Sequence, residues 1–168
     1  DRAKVYEELV IQNFRFLEEE HGFSRSTWIS GRSSPRDTVA TVRYQGPETA
    51  IDIVWGIGDF TLGILVRRKS EDGGMTSRDV GSFVHFAPFV EYITNGLIQP
   101  VIPTSYPSDS IATVSRVASA RSKLFEQSFE GAVRSLAARF MEYGPVAIKE
   151  ASRFKPFHEY YSTHKQQR

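Results

Sequence analysis

The stretch Thr38–Arg68, TVATVRYQGPETAIDIVWGIGDFTLGILVRR, decides the fold. It divides into three runs of period-two alternation separated by two breaks. In the first run Ala40, Val42 and Tyr44 share one side, and Val39, Thr41 and Arg43 share the other. Successive side chains of a strand point to opposite faces, so this pattern predicts a strand with one apolar face. Gly46-Pro47-Glu48 ends the run, because proline cannot donate to a ladder and glycine accepts turn dihedrals. Ile51, Ile53 and Trp55 form the next apolar side, opposed by Ala50, Asp52 and Val54. Gly56-Ile57-Gly58-Asp59 predicts a second turn. In the third run Phe60, Leu62, Ile64 and Val66 alternate with Thr61, Gly63, Leu65 and Arg67. Turns this short make neighbouring strands antiparallel, and the apolar face they build requires a helical cover.

Upstream, residues 3–20 predict an amphipathic helix with Val5, Leu9, Val10, Phe14 and Leu17 on one stripe. Gly22 suits the left-handed position beyond its last turn. Residues 23–30 predict a first strand, with Phe23, Arg25 and Thr27 alternating against Ser24, Ser26 and Trp28. Residues 30–37 read as a loop. They are followed by a strand rather than a helix, which argues against a phosphate cradle.

Downstream, Arg67-Arg68-Lys69 and the acids after it read as a solvated loop. Residues 79–93, DVGSFVHFAPFVEYI, predict a short helix capped by Asp79 or Ser82 and interrupted at Pro88. His85 has no second His or Cys close in sequence, so it reads as a packed or surface histidine rather than a ligand. Residues 97–108 carry Pro100, Pro103 and Pro107 and read as an extended connector. Ser108 or Asp109 then caps a long helical pattern through Ile111, Val114, Ala118, Phe125, Phe129, Ala132, Leu136 and Phe140. Unbroken, this helix would run roughly 50 Å at ~1.5 Å per residue, so a break near Gly131 is expected. Gly144-Pro145 predicts its end. Residues 146–168 form a basic, aromatic tail with Phe154, Phe157, Tyr160 and Tyr161, its last residues expected to fray. The fold class is therefore α+β: an N-terminal helix, an antiparallel meander of about four strands, and a helical C-terminal half. One domain is expected over residues 1–168, sheet-rich in 1–78 and helical in 79–168.

Composition narrows the function. The chain has 168 residues, 40% hydrophobic, with 12 Phe, which suits one packed domain and argues against disorder. There is no Cys, so no disulfide framework and no thiolate chemistry, as expected of a cytoplasmic protein. No apolar run approaches the roughly 18–20 residues of a membrane span, and no secretory leader is recognisable. A net charge of +1 selects no anionic partner by itself. The distribution is uneven. Residues 1–59 hold 7 Lys/Arg against 10 Asp/Glu, 60–114 hold 4 against 5, and 115–168 hold 10 against 5.

No nucleophile elbow, phosphate loop, dinucleotide fingerprint or two-His helix motif is present. Asp52 could serve a metal-dependent nuclease, with Asp59 near it. The following strand offers no Glu-x-Lys, and Lys69-Ser70-Glu71 runs in the reverse order. The chain reads as non-enzymatic, without cofactor or metal, and a metal-dependent hydrolase ranks third among the readings. Two surfaces remain. Glu18, Glu19 and Glu20 form an acidic cluster at a helix C-terminus, where the dipole disfavours acids, and with Trp28 as anchor they are the candidate protein contact. Arg116, Arg121, Lys123, Arg134 and Arg139 on the long helix, interleaved with aromatics towards the tail, are the candidate nucleic-acid contact.

The element order from residue 5 to 70 carries a resemblance. FRFLEEEHGF at 14–23 precedes a strand, then VRY at 42–44, IDIVWG at 51–56 and LGILVRR at 62–68. This order resembles small bacterial proteins regarded as immunity or defence-associated partners of toxins. The resemblance implies a protein that neutralises or regulates a protein partner, a toxin or defence component, by surface complementarity. It brings no catalytic residues. It does not extend to the long helix or the basic tail, whose reading as a nucleic-acid contact stays open. Oligomeric state stays open too, since the long helix could pair with a second copy.

Overall fold

The computed structural model describes residues 2–30, 39–56, 61–70, 74–75 and 79–164. Residues 31–37 of the predicted loop, 57–59 of the predicted second turn, Phe60, the acids Glu71 and Asp72 of the loop after Lys69, and the last four residues lie outside the described residues. Five strands form one antiparallel sheet in sequence order: β1 (Ser24–Ser30), β2 (Val39–Gln45), β3 (Thr49–Gly56), β4 (Leu62–Arg68) and β5 (Phe83–His85). The helices are α1 (Arg2–Phe14), α2 (Phe16–Glu19), α3 (Phe86–Ile93), α4 (Ile111–Lys149) and α5 (Phe154–Thr163). The meander stands as the alternation predicts, with Val42 opposite Ile53 and Ile53 opposite Ile64. That register places Ala40, Val42, Tyr44, Ile51, Ile53 and Trp55 on one face, and all six are buried.

The other face is less apolar. Asp52 is 3% exposed and takes a two-pronged bond from Arg43, Nε to Oδ1 at 2.6 Å and Nη2 to Oδ2 at 2.7 Å. Arg67 Nε reaches the same carboxylate at 2.9 Å. Three strands are thus cross-linked by one acid. Asp52 serves as a structural pin, and Arg67 is not the solvated side chain that the sequence suggests. Arg68 also leaves solvent, donating through Nη1 to the carbonyl of Ile148 at 2.5 Å.

The helical cover forms from α1, α3 and α4. Val10, Phe14 and Leu17 face the sheet, and Tyr6 stacks on Phe129 at 3.7 Å. Val5 departs from the predicted stripe and is 52% exposed. Gly22 does take the left-handed conformation, at φ 67°, where the Phe23 N–H closes onto the Leu17 carbonyl.

Three helix-end readings need correction. Residues 83–85 pair with β4 as a fifth strand, so helix α3 starts at Phe86 rather than at an Asp79 or Ser82 cap. Pro88 does not interrupt α3, because it sits in the first turn, where the backbone N–H would have no helical partner. Ser110, not Ser108 or Asp109, caps α4, its Oγ accepting from the Thr113 N–H at 3.2 Å. Asp109 instead accepts from the Tyr106 N–H at 2.8 Å.

Helix α4 breaks near Gly131, as its length predicts, with the break at Ser128. Ser128 is extended at φ −165°, ψ 90°, and its Oγ accepts from the Gly131 N–H at 2.9 Å. This is an N-cap, so the second half of α4 begins there as a new helix. Gly144-Pro145 does not stop it; the helix runs on to Lys149. A Cβ at Gly144 would lie 2.6–2.8 Å from the Phe140 ring, so this glycine serves a close approach rather than a terminus. Ile111 and Val114, predicted core, are 87% and 42% exposed, and the buried stripe starts at Val117. Among the described residues no helix is long and apolar enough to cross a membrane.

Candidate functional site

Helix α3 is almost wholly apolar, and one acid interrupts it. Glu91 lies two residues before the helix end, 4% exposed, beside Phe89 and Val90 in the core. The helix closes just beyond it. Asn95 takes φ 53° and Gly96 φ 81°, and the Gly96 and Asn95 N–H groups bond back to the carbonyls of Glu91 and Tyr92. This paired closure turns the chain sharply away from the helix axis. The proline-bearing connector then runs as irregular backbone, as the sequence predicts, and brings Tyr106 back over Glu91. Helix α5 completes the enclosure. Phe154 and Phe157 bury against Phe89 at 5.6 and 5.5 Å between ring centres, which sets Tyr160 and His164 beside the connector. Ser108 Oγ donates to the His164 carbonyl at 2.5 Å and ties the helix end down.

The result is a cleft of about 830 Å³ lined by Glu91, Tyr92, Asn95, Gln99, Tyr106 and Tyr160 among others. The Tyr106 hydroxyl donates to Glu91 Oε2, and His164 Nε2 stands 3.4 Å from Oε1. The His164 ring stacks on Tyr160 at 4.6 Å and meets Tyr106 edge-on at 4.5 Å. Tyr160 and Tyr92 are 5.2 Å apart. Burial, and then the negative charge of Glu91, push the Tyr160 hydroxyl above its usual pKa, so it stays a neutral donor. The Glu91 carboxyl shares the cleft with Tyr92, Tyr106 and Tyr160, and aromatic faces attract a positive charge.

The sites expected from sequence fare differently. Glu18 is paired with Arg25 at 3.1 Å, and Glu19 lies 3.7 Å from Arg15, so chain-internal arginines offset two of the three acids. Glu20 is exposed at the end of α2. The Glu18–Arg25 pair sits near the buried Tyr44 hydroxyl, whose pKa is driven up by burial and then by Glu18. Trp28 lies opposite Thr41 in the ladder, with its side chain outside the described residues.

The basic set does not form one surface. Arg134 pairs with Glu130 at 2.6 Å, and Arg139 donates to the Gln99 carbonyl at 3.0 Å. Arg121 turns into a groove against the sheet, leaving Arg116 and Lys123 exposed. The break at Ser128 separates Arg116, Arg121 and Lys123 from Arg134 and Arg139. No group of three or more His, Cys, Asp or Glu side chains placed to hold a metal occurs among the described residues. Asp59 lies outside them.

His85 is a surface residue, as expected, though rings flank it: Phe83 at 6.1 Å and Tyr161 at 5.4 Å. Burial of its inner edge, then His158 and Arg67, push its pKa down to about 4.

Sequence reasoning overlooked Glu91, Tyr106 and His164. The one available signal was a single acid inside the apolar run FAPFVEYI at 86–93. No family model, curated protein or solved structure matches this chain.

Proposed function

We propose that this chain is a non-enzymatic binding protein that grips a basic protein partner by seating a lysine or arginine side chain in the Glu91 cleft. The carrying observation is Glu91, a residue 4% exposed that lines a cleft of about 830 Å³ together with Tyr92, Tyr106 and Tyr160. A cationic head there meets a carboxylate in a low-dielectric setting and aromatic faces along its stem. Its lining is largely polar, with Asn95, Gln99 and Thr104 beside the tyrosines, and its size suits one side chain or small ligand. A basic toxin surface, as the resemblance to immunity proteins implies, has this chemistry. The contact moves from Glu18–Glu20 to Glu91, because internal arginines already engage Glu18 and Glu19.

The test is calorimetric titration with N-acetyl-arginine amide and N-acetyl-lysine amide, with N-acetyl-glutamine amide as the neutral control. The two cationic ligands bind saturably and the neutral one does not. Glu91→Gln keeps an acceptor for Tyr106 and removes the charge, and it weakens the cationic ligands about tenfold or more. Equal binding by wild type and Glu91→Gln, or no saturable binding by wild type, overturns the proposal. A free organic amine such as agmatine serves as a further arm. If agmatine binds at least tenfold more tightly than the capped residues, the ligand is a small molecule and the protein-partner reading fails.

A further inference from the structure

A second concavity shares Ile102, Pro103 and Thr104 of the connector with the first but is not lined by Glu91. It holds about 390 Å³ and runs between β4, the start of α3, the connector and α4. Its walls are mostly apolar: Val54, Leu65, Ile102, Pro103, Leu136 and Tyr161. Arg121 also lines it, and no acidic residue does among the described lining residues. The Arg121 Nε atom is buried and has no hydrogen-bond partner among the described residues. A buried donor left unsatisfied is costly, and for a guanidinium the missing partner is an acceptor, best an anionic one.

Helix α3 supports the same polarity. Phe86, Ala87 and Pro88, its first turn, line the groove, and the N-cap residue His85 makes no side-chain cap bond. The positive end of its dipole therefore adds to Arg121.

From this juxtaposition we propose that the groove binds a small apolar carboxylate, its chain against Leu65, Ile102 and Leu136 and its head on Arg121. One guanidinium without an acid suits a monoanion, and a planar carboxylate matches its fork. His85, also in the lining, is neutral near pH 7 because its pKa lies at about 4, so it adds no second charge that would favour a dianion. Gly63 also lines the groove. A Cβ built there meets nothing within 4 Å, and its backbone φ is one that any residue can adopt.

The experiment titrates the whole chain with octanoate and, as neutral control, 1-octanol. Octanoate is expected to bind saturably at one site, with octanol at least tenfold weaker. Arg121→Met is expected to lower octanoate affinity roughly ten- to a hundredfold and to leave octanol unchanged. Gly63→Leu fills the groove and weakens both ligands, so the proposal stays testable should Arg121→Met fail to fold. Glu91→Gln leaves octanoate binding as in wild type, which separates this site from the first. Absence of saturable octanoate binding, or equal affinity in wild type and Arg121→Met, overturns it, as does a Gly63→Leu variant that binds octanoate normally.

Discussion

Asp52 shows how ladder neighbours define a side chain's role. Alternating residues mark it as the acid on the less apolar face of β3. Arg43 stands directly opposite it on β2 and Arg67 lies diagonally across on β4. Removing one member of a buried pair leaves the others desolvated and unpaired, so Asp52→Ala should lower the unfolding free energy by about 3 kcal/mol. Urea denaturation checks this, and a loss under about 1 kcal/mol would contradict the cross-strand pin. His85 yields a pH effect at the same scale. Its folded pKa of about 4 lies below the ordinary 6.5. The unfolded chain therefore binds more protons between those values, and stability rises with pH across the window. Melting temperature should fall as pH drops from 6.5 towards 4, and His85→Gln should flatten that fall. An unchanged slope in the variant would remove His85 as the cause.

At the scale of elements, what was legible follows from how local each signal is. Strands β2, β3 and β4 were readable because their alternation and their turns are contiguous in sequence. The connector was readable because its three prolines forbid regular structure wherever they are placed. Strand β5 was not, since three residues carry no periodicity and exist as a strand only by pairing with β4. The two proline readings within helices failed. Pro88 falls in a first turn, and the continuation of α4 through Pro145 accompanies a Gly144 against which the Phe140 ring packs. The break in α4 was expected from length alone, and its position depended on a cap that the residues 128–131, SFEG, supply. Ser128→Ala removes that cap and should cost about 1 kcal/mol, with little loss of helical circular dichroism. A variant as stable as wild type would show that packing around Phe125 and Phe129, rather than the cap, sets the break.

At the scale of the molecule, the sheet is a platform and the candidate site lies where α3, the connector and α5 converge. That convergence is why the candidate site was invisible in the sequence. Glu91, Tyr106, Tyr160 and His164 come from three separate segments, and only the closure at Asn95-Gly96 and the packing of Phe154 and Phe157 bring them together. The clusters that sequence does display, three consecutive acids and a series of arginines, are largely engaged within the chain. The lopsided charge, acidic in front and basic behind, is partly neutralised by contacts such as Glu18–Arg25, Arg134–Glu130 and Arg153–Glu150. What remains distinctive is one buried acid in an aromatic cleft.

The most direct measurement is therefore the titration of wild type and Glu91→Gln with N-acetyl-arginine amide at constant ionic strength. The account predicts saturable binding to the wild type, weakened about tenfold or more in a variant that melts within a few degrees of it. Identical isotherms for two folded proteins would contradict it.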